Sequence, residues 1–264
     1  MNGPAHDPVR GPAGGSATAV ATRPAPARPV RPAPLSVTAS ITTFGTLAWL
    51  GWLWLLAAVG YGIALTVLAF VGERDTSLWQ TVIVGWQNWP VLAAGISMVP
   101  TFGPMLITNG VTRARLASSA AITMIVLGVL GGLFVAGGFA VESLVFADQG
   151  WPRRLSGGMG FDGVAMPIQL GVAQGIGFAA WFVSGWLIGL AHHQLGPGLV
   201  VALVPALIPA AAAEILLLGG LAGLNIDLLD GLRLPLAVAA PVLVAVIAVA
   251  TVAAARLTRL VSLR

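Results

Sequence analysis

Apolar positions run along this chain in long blocks separated by short polar joints. No charged residue occurs between Arg31 and Glu73, and several later stretches are as oily. A hydrocarbon core needs roughly 20 apolar residues to be crossed by a helix. Six blocks qualify: 44–71, 88–109, 116–141, 167–190, 198–220 and 234–255. Their apolar residues do not alternate with polar ones, so a lipid-facing barrel is excluded. Lipid cannot satisfy backbone N–H and C=O groups, whereas a helix satisfies them internally. The pattern therefore predicts an all-α polytopic membrane protein with six transmembrane helices.

The joints carry structure of their own. Residues 35–43 (LSVTASITT) read as an approach segment at the interface, ahead of the tryptophans Trp49, Trp52 and Trp54. That cluster suits a headgroup-level aromatic belt. In 76–89, Trp79, Val82, Ile83 and Trp86 fall at helical spacing after a Thr/Ser cap, which predicts a short surface helix. Residues 142–166 are glycine-rich and expected to be irregular, and 221–233 to dip back into the interface. Residues 1–34 are rich in Pro, Ala and Arg without a hydrophobic period. They read as a disordered cytoplasmic tail ahead of a membrane domain at 35–258 and a short basic end at 259–264.

Composition agrees with the pattern. Hydrophobic residues make up 57% of the 264 and charged ones only 8%, against roughly 25% charged in a soluble domain. Such a chain has too little charge to cover a water-facing surface. It has no cysteine and no lysine, and all 13 basic residues are arginine. Disulfides and thiolate chemistry are thereby excluded. With the N-terminus in the cytoplasm, nine arginines lie inside (10, 23, 28, 31, 113, 115, 256, 259, 264) and four outside (74, 153, 154, 233). The positive-inside rule then places both termini in the cytoplasm of a bacterial cell membrane.

Little in the chain offers catalysis. There is no GxSxG, no HExxH and no P-loop, so no enzyme activity is expected and any ATP would be hydrolysed by another polypeptide. His192 and His193 are adjacent and lack a third ligand nearby, so no metal and no cofactor is expected. No nucleic-acid partner is expected either. Small residues at four-residue spacing (Gly128, Gly132, Ala136; Gly171, Gly175, Ala179; Gly185, Gly189) predict close helix packing. Pro100, Pro104, Pro205 and Pro209 predict kinks. Glu214 stands inside the fifth block and Glu142 at the outer end of the third. A carboxylate in hydrocarbon is costly, so each reads either as a polar lock between helices or as part of a transport path.

The joint NGVTRARLASS, 109–119, places Arg113 and Arg115 two apart on the cytoplasmic side. Asn109-Gly110 can stop one helix and Thr112 can cap the next. A positive-inside turn explains the arginines, and so does a basic corner that docks a soluble partner. Gly110-Val111-Thr112-Arg113-Ala114-Arg115 resembles the G-x-T-R-R motif of membrane subunits of ABC type 2 exporters, of the compact six-span actinobacterial kind, with the second arginine displaced by one. Glu142 matches an acidic residue that recurs there at the outer end of the third span. The resemblance covers about 36–258. It implies a permease subunit of an ATP-driven exporter, paired as a homodimer or heterodimer in the lipid bilayer. A separate ATP-binding cassette subunit would be coupled through Gly110, Thr112, Arg113 and Arg115. It also implies a cargo that the apolar spans make hydrophobic or amphipathic. The alternative is a structural or regulatory membrane protein that transports nothing.

Overall fold

The structure is a computed structural model, and it describes residues 34–71, 77–83, 86–151, 165–195, 199–218 and 234–260. The tail 1–33, the stretches 152–164 and 219–233, and residues 261–264 lie outside the described residues. So do the expectations made for them. Among the described residues the protein is all helical. The helices are α1 Leu35–Val71, α2 Leu78–Ile83, α3 Asn88–Ser97, α4 Gly103–Thr108, α5 Arg113–Asp148, α6 Met166–Leu195, α7 Leu199–Ala213 and α8 Leu236–Leu260. Single π turns follow α3 at Met98–Phe102 and α7 at Glu214–Leu218.

Five segments are long and apolar enough to cross a membrane: α1, the run from Asn88 to Thr108, α5, α6 and α8. The predicted fifth span is shorter, an apolar stretch over Val201–Leu217. The approach segment 35–43 is not a separate helix. It is the first part of the continuous 37-residue α1, because nothing in LSVTASITT stops a helix and its hydroxyls bond back to the preceding turn. Ser40 and Thr42, for example, donate to Ser36 O and Thr38 O.

Helix α6 is the hub, packed against α3, α5, α7 and α8. Its glycines make this possible. Gly175 and Gly171 bring α6 backbone against Gly128 and Gly132 of α5, where a Cβ on Gly132 would stand 2.6 Å from Gly171 O. On its other side Gly185 and Gly189 meet Leu92 and Ile96 of α3. Hydrocarbon gives no hydrophobic drive for helix association, so close backbone approach supplies the dispersion contacts instead. Threonine hydroxyls join α1 to α5: Thr42 and Thr43 reach Thr123 at 3.2 and 3.0 Å.

These contacts also give directions. Residue numbers rise together along α1 and α5, and along α3 and α6, so each pair is parallel. They run oppositely along α5 and α6, α6 and α7, and α5 and α8. The six apolar segments thus alternate in direction, as a chain threading back and forth must.

The prolines act less uniformly than expected. Pro100 lies within the first π turn and Pro104 in the first turn of α4, so this segment does deviate from regular α-helix. Pro205 and Pro209 sit inside α7 without interrupting it. The disturbed backbone is compensated by a neighbour: Ala210 N donates to Ser184 Oγ of α6 at 3.2 Å.

Candidate functional site

The corner between α4 and α5 is built as its sequence predicts. Gly110 adopts φ 79°, the left-handed conformation that suits glycine. Gly110 N then bonds to Ile107 O and Val111 N to Leu106 O, which closes the end of α4. Asn109 Nδ2 adds a bond to Met105 O at 2.6 Å. Thr112 is extended (φ −75°, ψ 150°), and its hydroxyl accepts from Arg115 N at 3.3 Å, capping α5. Val111 is buried beneath the corner with Leu106 and Leu116. Thr112 and Ala114 are exposed, and Arg113 and Arg115 half-buried.

Arg113 reaches across to α8. Its Nη1 lies 3.5 Å from Arg259 O, in the last turn of that helix. The C-terminal carbonyls of a helix carry partial negative charge, so a guanidinium there is favourable. Arg113 therefore ties the corner to the end of α8. Arg256 and Arg259 are exposed at the same end of the bundle.

Glu142 is buried far more than a place near the interface would require, with only 1% exposed. Its Oε1 accepts from Trp79 N at 2.9 Å and its Oε2 from the Ser77 hydroxyl at 2.5 Å. The same Ser77 oxygen accepts from Gln80 N at 3.0 Å. Ser77 thus caps α2, as the Thr/Ser signal predicts, and Glu142 pins that cap to α5. The predicted surface helix is consequently not on the surface. Trp79 is 2% exposed, stacked edge-on against Tyr61 of α1 (4.7 Å between ring centres) and Phe134 of α5. Its indole donates to Val135 O at 3.1 Å. The ring occupies the space left by the missing side chain of Gly138, where a Cβ would stand 1.9 Å from it. The spacing of Trp79 and Trp86 was compatible with a membrane-surface helix. The carboxylate and the glycine on α5 are what draw Trp79 inward. Trp86 remains exposed.

Glu214 is also buried, at 4% exposed. Asn88 Nδ2 and Trp181 Nε1 both donate to its Oε1, at 2.6 and 3.0 Å. Gln174 Nε2 donates in turn to Asn88 Oδ1 at 3.1 Å. The cluster joins the start of α3, the middle of α6 and the π turn after α7. Trp181 lies at the midpoint of the thirty-residue α6, so these polar groups meet halfway along the bundle. Next to Asn88, the Gln87 amide is 2% exposed and makes no hydrogen bond with either Nε2 or Oε1.

The structure thus separates the predicted residues into three places. Gly110, Thr112, Arg113 and Arg115 share the corner at one end. Glu142 locks α2 at the other, and Glu214 organises the middle. No motif in the sequence marks Asn88, Gln174, Trp181 or Ser77 as partners of the carboxylates. Their signal was present, since Gln87-Asn88 and Gln174 are uncharged polar residues bordering or interrupting apolar blocks. His192 and His193 are exposed at the end of α6, and no group of metal-binding side chains occurs among the described residues. Compared with models of known protein families, with characterised proteins and with solved structures, the chain shows no match.

Proposed function

We propose that this chain is the permease subunit of an ATP-driven exporter. In this reading it crosses the bacterial cell membrane six times with both termini inside, and works with a separate ATP-binding subunit. Two permeases line a path for a hydrophobic or amphipathic cargo. The observation that carries the reading is the corner at 109–115. It is closed on one side by a glycine turn and on the other by a threonine cap. It opens directly into α5, 36 residues of uninterrupted helix and about 54 Å long. A push on such a corner moves the whole helix as a rod, because no flexible joint absorbs it. The exposed corner backbone and flanking arginines offer a partner hydrogen-bonding groups and positive charge. Arg113 contacting the end of α8 extends the same push to a second helix.

The second reading, a membrane protein without cargo, is favoured by that same contact. A guanidinium capping α8 has a structural use that needs no partner. A pull-down of tagged protein from native membranes in mild detergent separates the two. The exporter reading expects a stoichiometric ATP-binding protein, recovered at least about tenfold less well with Arg113→Ala/Arg115→Ala while membrane insertion is unchanged. Absence of any ATP-binding protein from a well-behaved wild-type preparation would leave the second reading standing.

A further inference from the structure

Helices α7 and α8 both rest on α6 and touch each other far less. Between them lies a cleft of about 660 Å³, within the range of roughly 300–1,000 Å³ usual for ligand pockets. Leu187, Ala191 and Gln194 of α6 form its floor, Ile208 of α7 one wall, and Val249 and Ala253 of α8 the other. From its shape and its charged end we infer that this cleft holds an anionic phospholipid, with an acyl chain lying along α8 and the headgroup phosphate on Arg256. Such binding requires neither the exporter reading nor a particular orientation in the membrane.

An acyl chain fits by length and by exposure. The α8 wall runs from Ala245 to Leu257, about 18 Å at 1.5 Å per residue. One leaflet supplies half of a hydrocarbon core roughly 30 Å thick, so the cleft is about one leaflet deep. Apart from Gln194, every residue lining it carries an apolar side chain. Ile208 and Val249 are exposed, so the cleft opens to the outside of the bundle, where a membrane presents lipid tails rather than water. Alanines on all three helices, among them Ala191, Ala206 and Ala253, keep it open.

The headgroup follows from one end of the cleft. Gln194 lies in the last turn of α6 and Leu257 in the last turn of α8, at the end of the bundle where α5 begins. Arg256 follows Ala253 by three residues and Val249 by seven. Those spacings return to one side of a helix, so Arg256 stands at the mouth of the cleft on the face that lines it. Arg256 and Arg259 are exposed there, and Arg113 reaches the Arg259 carbonyl. Among the described residues no carboxylate lies at this end: Glu142 and Asp148 stand toward the far end of α5, and Glu214 midway along the bundle. The charge at the mouth is therefore positive, which excludes a cationic head and favours an anionic one over a zwitterionic one. A guanidinium matches phosphate oxygens through paired N–H donors, and the Gln194 amide offers a neutral donor beside it. Basic pockets between membrane helices hold anionic headgroups in this way. Any arginine at a helix end can extend into water; what sets Arg256 apart is that its face continues as an apolar cleft one leaflet deep.

Native mass spectrometry tests this on the purified chain, released from micelles that carry equal amounts of phosphatidylglycerol and phosphatidylcholine with the same acyl chains. The wild type is expected to retain phosphatidylglycerol in clear preference. Arg256→Gln should lower that retention roughly fivefold or more. Ala253→Phe, which fills the cleft and changes no charge, should lower it as much, and covers the case in which Arg256→Gln does not fold. Both positions are exposed, so both variants should melt like the wild type. Val244→Phe, on the opposite side of α8 and also exposed, should keep the lipid. Equal retention of the two lipids, or undiminished phosphatidylglycerol in folded Arg256→Gln or Ala253→Phe, would overturn the inference. A wild-type dimer without lipid preference, made monomeric by Ala253→Phe, would also overturn it and give the cleft to a second copy of the chain.

Discussion

Two glutamates illustrate how little a residue's position in a string says about its task. Glu142 and Glu214 each interrupt apolar sequence, and each is buried. The first takes its bonds from one small helix and its cap, and the second from side chains of α3 and α6. The difference predicts different consequences. In Glu142→Gln one carboxylate oxygen becomes an amide NH₂, which cannot accept from both Ser77 and Trp79 N. A buried donor left unsatisfied costs about 1–3 kcal/mol. We expect a clearly lowered melting temperature, followed by intrinsic fluorescence in detergent. Asp148→Asn, at an exposed carboxylate of the same helix, should melt like the wild type. Equal melting of Glu142→Gln and wild type would mean that α2 is not held through this carboxylate.

At the scale of elements, glycine decides which helices meet. Apolar content is similar along α1, α5 and α8, yet α6 is the hub because its glycines face glycines or backbone on two sides. The close pair Gly132 and Gly171 leaves no space for a side chain. Gly132→Leu should therefore force α5 and α6 apart. Overpacking of this kind costs about 1–3 kcal/mol, read again as a lowered melting temperature. Gly137, whose Cβ position meets nothing within 4 Å, is the matched control: Gly137→Leu should leave the melting temperature within error. Leu is a better helix former than Gly, so propensity predicts no loss at either position, and similar losses in both variants would mean that the close approach at Gly132 is not what the substitution disturbs. The four-residue spacing of small residues made this interface legible beforehand. The destination of α2 was not, since Trp79 could be placed only once Gly138 and Glu142 were known to share one end of α5 with Tyr61 of α1.

For the whole molecule, the alternating directions of the apolar segments put the corner at Ala114 and the turn at Gln149 at opposite ends of α5. The absence of cysteine makes their sidedness directly measurable. With Ala114→Cys and Gln149→Cys as single reporters, an impermeant maleimide on intact cells should label the second and spare the first until the cells are opened. The reverse pattern would invert the orientation drawn from arginine placement. Much of this architecture was determined by the sequence alone. Helical class, the approximate limits of the apolar segments, the glycine stop and the threonine cap all follow from local rules, because each depends on backbone satisfaction or on neighbours within a turn. The tertiary structure alone decided what the polar residues do. It drew Trp79 and Ser77 onto Glu142, and joined Asn88, Gln174 and Trp181 around Glu214. It also turned Arg113 from a topological marker into a cap on α8. The physical reason is distance. These partners lie between 33 and 146 residues apart in the chain, and a hydrogen bond acts only over about 3 Å, so packing had to bring them together before their chemistry could be read.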